Sequence, residues 1–167
     1  PQASAVLVTT SENLARKVAT LVQRQWKTFP RKEIMERVIR ENLWIITATT
    51  LEEALGLVNS LAPEHLEVIV KEPGELLERV ENAGAIFLGA YSPVAVGDYV
   101  AGSNHVLPTG GMAKSFSGLS LRDFMKSIDV VNCSKDGLEK LRVAAETLAG
   151  MEGLEAHRRS VEERFRK

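Results

Sequence analysis

The stretch that decides the fold is Trp44-Ile45-Ile46-Thr47-Ala48-Thr49-Thr50-Leu51-Glu52-Glu53-Ala54-Leu55-Gly56-Leu57-Val58. Its first four residues are mostly aromatic and β-branched, the composition of a strand. Thr50 stands where a helix N-cap belongs, because its hydroxyl can accept a free amide of the first turn. Leu51, Ala54, Leu55 and Val58 follow at helical spacing. A strand, a cap and a helix in that order are the beginning of a βαβ unit.

The same grammar extends both ways. Upstream, Ala5-Val6-Leu7-Val8-Thr9 reads as a buried strand, Ser11 as an N-cap, and Leu14, Val18, Leu21 and Val22 as one helical face. A second helix follows Pro30, with Ile34, Val38 and Ile39 together. Downstream, Leu66-Glu67-Val68-Ile69-Val70 reads as a third strand. Glu72-Pro73 opens a helix with Leu76, Leu77 and Val80, and Ala85-Ile86-Phe87-Leu88 is a fourth strand. Apolar strands alternating with helices predict a parallel sheet covered on both faces. The fold class is α/β, doubly wound or close to it.

From Gly89 the character changes. Residues 89–118 hold six glycines together with Pro93 and Pro108. A loop of that length inside a compact domain is usually functional. Tyr91, Tyr99, Val106, Leu107 and Phe116 argue against a disordered linker. Ser120 caps a short helix through Phe124, and residues 128–131 suggest a short edge strand. Two helices close the chain, over 135–149 and 152–165, hinged at Gly150. Leu138, Leu141, Val143, Ala144 and Leu148 stripe the first. The second is polar, with Glu155, Arg158, Arg159, Glu162, Glu163 and Arg164, and reads either as a projecting arm that docks on a partner subunit or as a solvated terminal helix. The expected division is a partial α/β domain over 1–118 and a helical arm over 119–167.

Bulk properties exclude several classes. The 167 residues fit one domain, or one domain plus an appendage. A hydrophobic share of 44%, a charged share of 26% and a net charge of −1 describe an ordinary globular chain. They lack the basic excess that nucleic acid or an anionic membrane would attract. No apolar run of about 18 residues suggests a membrane span, and no basic-then-apolar start suggests a signal peptide. A cytoplasmic location is expected. The single cysteine, Cys133, rules out an internal disulfide and a multi-cysteine zinc site. Following the apolar run Ile128-Asp129-Val130-Val131, it is expected to be at least half-buried. The chain begins at Pro1 without an initiator Met and reaches a strand almost at once, which hints at a cut chain.

Four places could carry chemistry. In Ala62-Pro63-Glu64-His65-Leu66, Pro63 helps end the preceding helix, which leaves Glu64 and His65 at a helix–strand junction. An adjacent acid and imidazole can act as paired proton-transfer groups, although a solvated turn is the commoner outcome for such a pair. Asp98 and His105 lie on the Gly-rich stretch and could bind zinc or another metal, or orient a polar substrate; an Asx-type turn with a surface His is the bland alternative. Thr109-Gly110-Gly111-Met112-Ala113-Lys114-Ser115 has the wrong spacing for a P-loop. No strand is followed by G-x-G-x-x-G, so no dinucleotide fingerprint is visible. Glu152 and His157, five apart, are separated by about 500° of helix and share a face only if Glu152 lies at or before the helix start.

Set in order, these pieces resemble histidinol dehydrogenase. The resemblance is carried by Asn59-Ser60-Leu61-Ala62-Pro63-Glu64-His65-Leu66, by Ala83-Gly84-Ala85-Ile86-Phe87-Leu88-Gly89, by Gly97-Asp98-Tyr99-Val100-Ala101-Gly102-Ser103-Asn104-His105-Val106-Leu107-Pro108-Thr109, and by Glu152-Gly153-Leu154-Glu155-Ala156-His157. It covers the whole chain in order. It implies a partial Rossmann-like domain with a C-terminal arm, in an enzyme that oxidises L-histidinol to L-histidine in two NAD-dependent steps with zinc. By that resemblance Glu64 and His65 are the acid–base pair. Asp98 and His157 are zinc ligands, and His65, Asp98, His105, Glu152 and His157 line the substrate. The arm is expected to cross to the other subunit of a homodimer.

The resemblance also implies absences. The family's two other zinc ligands, a Gln and a His, and its NAD-binding region lie upstream of the part matched here. Zinc is therefore expected to bind weakly or not at all, NAD to have no site, and the chain alone to be inactive. The rival reading from another class is a stand-alone, non-catalytic α/β dimerisation or binding module that retains the motifs as relics.

Overall fold

A computed structural model describes residues 3–166. The chain divides into two compact units, one running to Phe124 and one beginning at Met125.

The first unit is built on parallel strand pairs. β1 (Ala5–Thr9) runs beside β2 (Leu43–Thr47), with Ala5 opposite Leu43 and Thr9 opposite Thr47. The crossover between them holds α1 (Glu12–Gln25) and α2 (Lys32–Glu41). β3 (His65–Val68) runs beside β4 (Ala85–Leu88), with His65 opposite Ala85 and Val68 opposite Leu88. The α/β class and the parallel pairing are as the sequence implies, but the strands form two two-stranded sheets instead of one continuous sheet. β3 is also shorter than the apolar run suggests. Its ladder closes where the Gly89 amide donates to the Val68 carbonyl, and Ile69 beyond it is 63% exposed.

Local chemistry sets the helix ends. The Ser11 hydroxyl accepts from the Leu14 amide. Before α3 (Leu51–Leu61), the Thr50 hydroxyl accepts from the Glu53 amide, and the Glu53 carboxylate accepts from the Thr49 amide at 2.7 Å. α3 ends on Ala62, which is fully buried and left-handed at φ 47°. Pro63 excludes the helical region for the residue before it, and the left-handed alternative costs a non-glycine residue about 1–2 kcal/mol.

The core lies between α3, the β3–β4 pair and the segment Pro73–Arg79. Leu55, Val68 and Leu76 form its buried centre, with Leu66, Val80, Ile86 and Leu88 packed against it. Burying a side chain of this size contributes about 1.5–3 kcal/mol. The helix expected after Pro73 is a 3-10 segment, with Leu76 buried and Leu77 45% exposed. The stretch read as one long loop contains a short helix, α4 (Val94–Tyr99), and a 3-10 turn over Met112–Lys114. Gly97 in the middle of α4 hides it from propensity, because glycine is a poor helix former.

The second unit is a pair of helices packed on each other, with the Arg142 guanidinium over the Phe165 ring. Residues 128–131 pair with no strand; Ile128 is 74% and Val131 87% exposed, which overturns the expected edge strand. Cys133 is exposed with them, not half-buried, because without a ladder the run has nothing to fold against. α5 (Lys135–Met151) is capped by Ser134, whose hydroxyl accepts from the Gly137 amide. α6 (Glu155–Glu162) continues into a 3-10 turn over Glu163–Phe165. Gly150, the expected hinge, lies inside α5. The chain turns instead at Gly153, whose φ of 70° favours glycine. Neither helix has a buried residue. Arg142 pairs with Glu146 at 2.6 Å, and Glu155 pairs with Arg158 at 2.7 Å and Arg159 at 2.9 Å. Among the described residues, no helix is long and apolar enough to cross a membrane.

Candidate active site

The site is assembled at the first residue of β3. The ladder that joins β4 to β3 starts early: the Gly84 amide donates to the Pro63 carbonyl and the Ala85 amide to the Glu64 carbonyl, both at 2.9 Å. The backbone of Glu64 and His65 is thereby fixed. Gly84 is required here, since a Cβ would stand 2.5 Å from the Glu64 carbonyl oxygen. Asn59, in the last turns of α3, holds the same junction from the other side. Its amide donates to the Arg79 carbonyl at 3.0 Å, its side-chain oxygen accepts from the Glu81 amide at 2.9 Å, and its own carbonyl accepts from the Asn82 side chain.

Onto this junction the fold brings three ionisable groups. His65 Nδ1 is 3.9 Å from Glu64 Oε1, and His65 Nε2 is 3.5 Å from Asp98 Oδ1. The imidazole is 23% exposed, Asp98 31% and Glu64 39%. Although Nε2 is close enough to Asp98 for ion pairing, the geometry is not that of a hydrogen bond, and the atom is buried without a partner. A buried nitrogen left open costs free energy unless something else satisfies it. Phe87, next to the imidazole on β4, has its ring centroid 6.0 Å from that of His65.

This arrangement suits proton transfer. A neutral imidazole can accept a proton, and a carboxylate near each nitrogen stabilises the imidazolium that forms. Sequence reasoning singled out Glu64, His65 and Asp98, and these three come together. His105 is exposed and has no ion pair or side-chain hydrogen bond among the described residues. Its loop is pinned by Asn104, whose amide donates to the Leu119 carbonyl and whose side-chain oxygen accepts from the Val106 amide, both at 2.8 Å. In the second unit, Glu152 caps the end of α5, before the start of α6, and His157 lies exposed on α6. Sequence reasoning missed Asn59 and Phe87 as supports. Asn59 stood inside the motif, but nothing in the sequence shows that an amide will bridge segments twenty residues apart.

The chain's donors do not make a complete zinc site: among the described residues no group of three or more His, Cys, Asp or Glu side chains could hold a metal.

Parallel βαβ pairs carrying an acid–imidazole pair at a strand start define an α/β protein with a candidate proton-transfer site. The chain belongs to the histidinol dehydrogenase family: the family model of that description matches residues 1–165. Histidinol dehydrogenase of Heliobacterium mobile is 50% identical over 166 residues, 99% of this chain and 39% of the relative's length. Those of Caldanaerobacter subterraneus subsp. tengcongensis and Bacillus subtilis are each 48% identical, over 98% of this chain and 38% of their own length. The crystal structure of histidinol dehydrogenase from Elizabethkingia anophelis superposes with a TM-score of 0.88 at 33% identity, covering 95% of this chain and 36% of that one. The chain thus spans well under half the length of the curated relatives it matches.

Proposed function

We propose that the chain is the C-terminal, acid–base-bearing portion of a cytoplasmic histidinol dehydrogenase, an enzyme that oxidises L-histidinol through the aldehyde to L-histidine in two NAD-dependent steps. The observation that carries this reading is the His65 imidazole, set between Glu64 and Asp98 with a buried, unpartnered Nε2. His65 takes the hydroxyl proton as the alcohol becomes the aldehyde. In the second oxidation a water adds to the aldehyde carbon, and Glu64 helps remove the proton it sheds. Asp98 stands beside Nε2 and steadies the imidazolium in both steps.

Asp98 and His157 are two zinc ligands in this reading, with His105 and Glu152 beside the substrate. The remaining ligands and the NAD site come from outside the residues described, and the chain alone does not turn over. The arm offers His157 to a second copy in a homodimer. Nothing observed favours the non-catalytic module.

The test uses the longest native product that contains the chain. With histidinol and NAD, His65→Gln is expected to lower kcat about 10²–10⁴-fold. Glu64→Gln is expected to slow the second oxidation more than the first, so that aldehyde is trapped by an added amine nucleophile. Equal slowing of both oxidations overturns the Glu64 role, and unchanged kcat in His65→Gln overturns the reading.

A further inference from the structure

We propose that Glu67 is a positioning residue that sets the distance between His65 and Asp98; this rests on the acid–base reading of that pair. Side chains two apart on a strand share a face, so Glu67 lies on the same face of β3 as His65. Glu67 Oε1 accepts a hydrogen bond from the Val94 amide at 3.0 Å. Val94 opens α4, and the residue before it, Pro93, provides no side-chain cap. The amides of a first turn have no partner inside their own helix. A carboxylate brought across from β3 supplies one, as a charge-assisted bond at the end of a helix that favours negative charge.

Asp98 lies four residues after Val94, one turn along the same helix and on the same face. The helix that Glu67 fastens is therefore the one that returns a carboxylate to His65. Two further contacts set its depth. Gly97 is buried against Phe87, where a Cβ would stand 2.4 Å from the ring. Phe87 is also the ladder partner of Glu67 and the neighbour of the His65 ring. At the far end of α4, the Ser103 hydroxyl donates to the Gly97 carbonyl at 3.0 Å. Strand, ring and helix thus form a closed bracket, and Glu67 is its polar tie.

The test compares Glu67→Ala with Glu67→Gln, which keeps an acceptor oxygen. In Glu67→Ala, hydrogen exchange at the Val94 amide is expected to rise about tenfold or more. The nuclear Overhauser contact between the His65 ring and the Asp98 β-protons is expected to weaken. Both are expected to be retained in Glu67→Gln. In the longest native product, Glu67→Ala is expected to lower kcat about tenfold to a hundredfold, with KM changed far less. That loss is expected to vanish in an Asp98→Asn background, since there is then no carboxylate left to position.

Unchanged Val94 exchange and an unchanged His65–Asp98 contact in Glu67→Ala overturn the proposal, as does a kcat loss that adds in full to that of Asp98→Asn. A native product that never oxidises histidinol sinks the functional reading instead, while the exchange and contact measurements still decide whether Glu67 sets the pair.

Discussion

In the unit that ends at Phe124, residues twenty positions apart meet: His65 faces Ala85 across the β3–β4 ladder, and the Asn59 side-chain amide donates to the Arg79 carbonyl. In the unit that begins at Met125, every recorded ion pair joins residues three or four apart on the same stretch of helix. The first kind of structure can hold groups from distant parts of the chain at a fixed separation, which the His65–Asp98 pair needs. The second packs one helix on the next, with the Arg142 guanidinium 5.1 Å from the centre of the Phe165 ring. The run from Ile128 to Val131 and His157 are exposed on it.

The comparison breaks most readily at the core. Leu55→Ala removes one of three buried centre residues and is expected to cost about 2–5 kcal/mol in chemical denaturation. The denaturation midpoint read from α5 and α6 is expected to stay at the parent's value while that of β3 and β4 falls; a fall in both would show that the units share their stability. Gly84→Ala is next, at about 1–3 kcal/mol, because its Cβ must displace the Glu64 carbonyl. It should also depress turnover, as the ladder that fixes His65 shifts. A variant as stable and active as the parent would show that the junction is soft.

At the arm, Gly153→Ala forces a positive φ on a residue with a Cβ. It is expected to cost about 1–2 kcal/mol of local stability, read as faster amide exchange at the start of α6. The smallest effect is the arm's response to acid. Hydrogen bonds from Arg158 and then Arg159 hold the Glu155 carboxyl down at about 2, against an ordinary 4.5. A carboxyl lowered by folding stabilises the fold above its unfolded value and loses that contribution as pH falls through its folded one. The α6 amide signals are therefore expected to weaken between about pH 4.5 and pH 2, and less so in high salt, since the Glu155 carboxylate is half exposed to solvent. Weakening confined to higher pH would assign the arm's stability to another group.

Much of the fold was legible because its signals are local. The Ser11 and Thr50 caps, the start of α2 and the fourth strand follow from spacing and cap chemistry, and all stand where expected. The failures share a cause. Residues 128–131 have the composition of a strand, but a strand exists only with a partner, and sequence pattern does not show whether one is present. α4 was hidden by Gly97, whose lack of a side chain serves the close approach of Phe87, not the helix. Gly150 and Gly153 are equivalent punctuation in sequence; only φ distinguishes the turn from the helix interior. In the site, Glu64, His65 and Asp98 were visible as reactive types in ordered motifs. The contact between His65 and Asp98, and the Glu67 tie that fastens it, depend on how β3 meets α4, and no spacing rule encodes that.

The most direct test of the central claim, that the chain holds the proton-transfer half of a site it does not complete, is a steady-state assay with histidinol, NAD and zinc. The longest native product and the chain alone are compared at equal concentration. Turnover is expected from the native product and none from the chain alone. Sustained conversion of histidinol to histidine by the chain alone would contradict it.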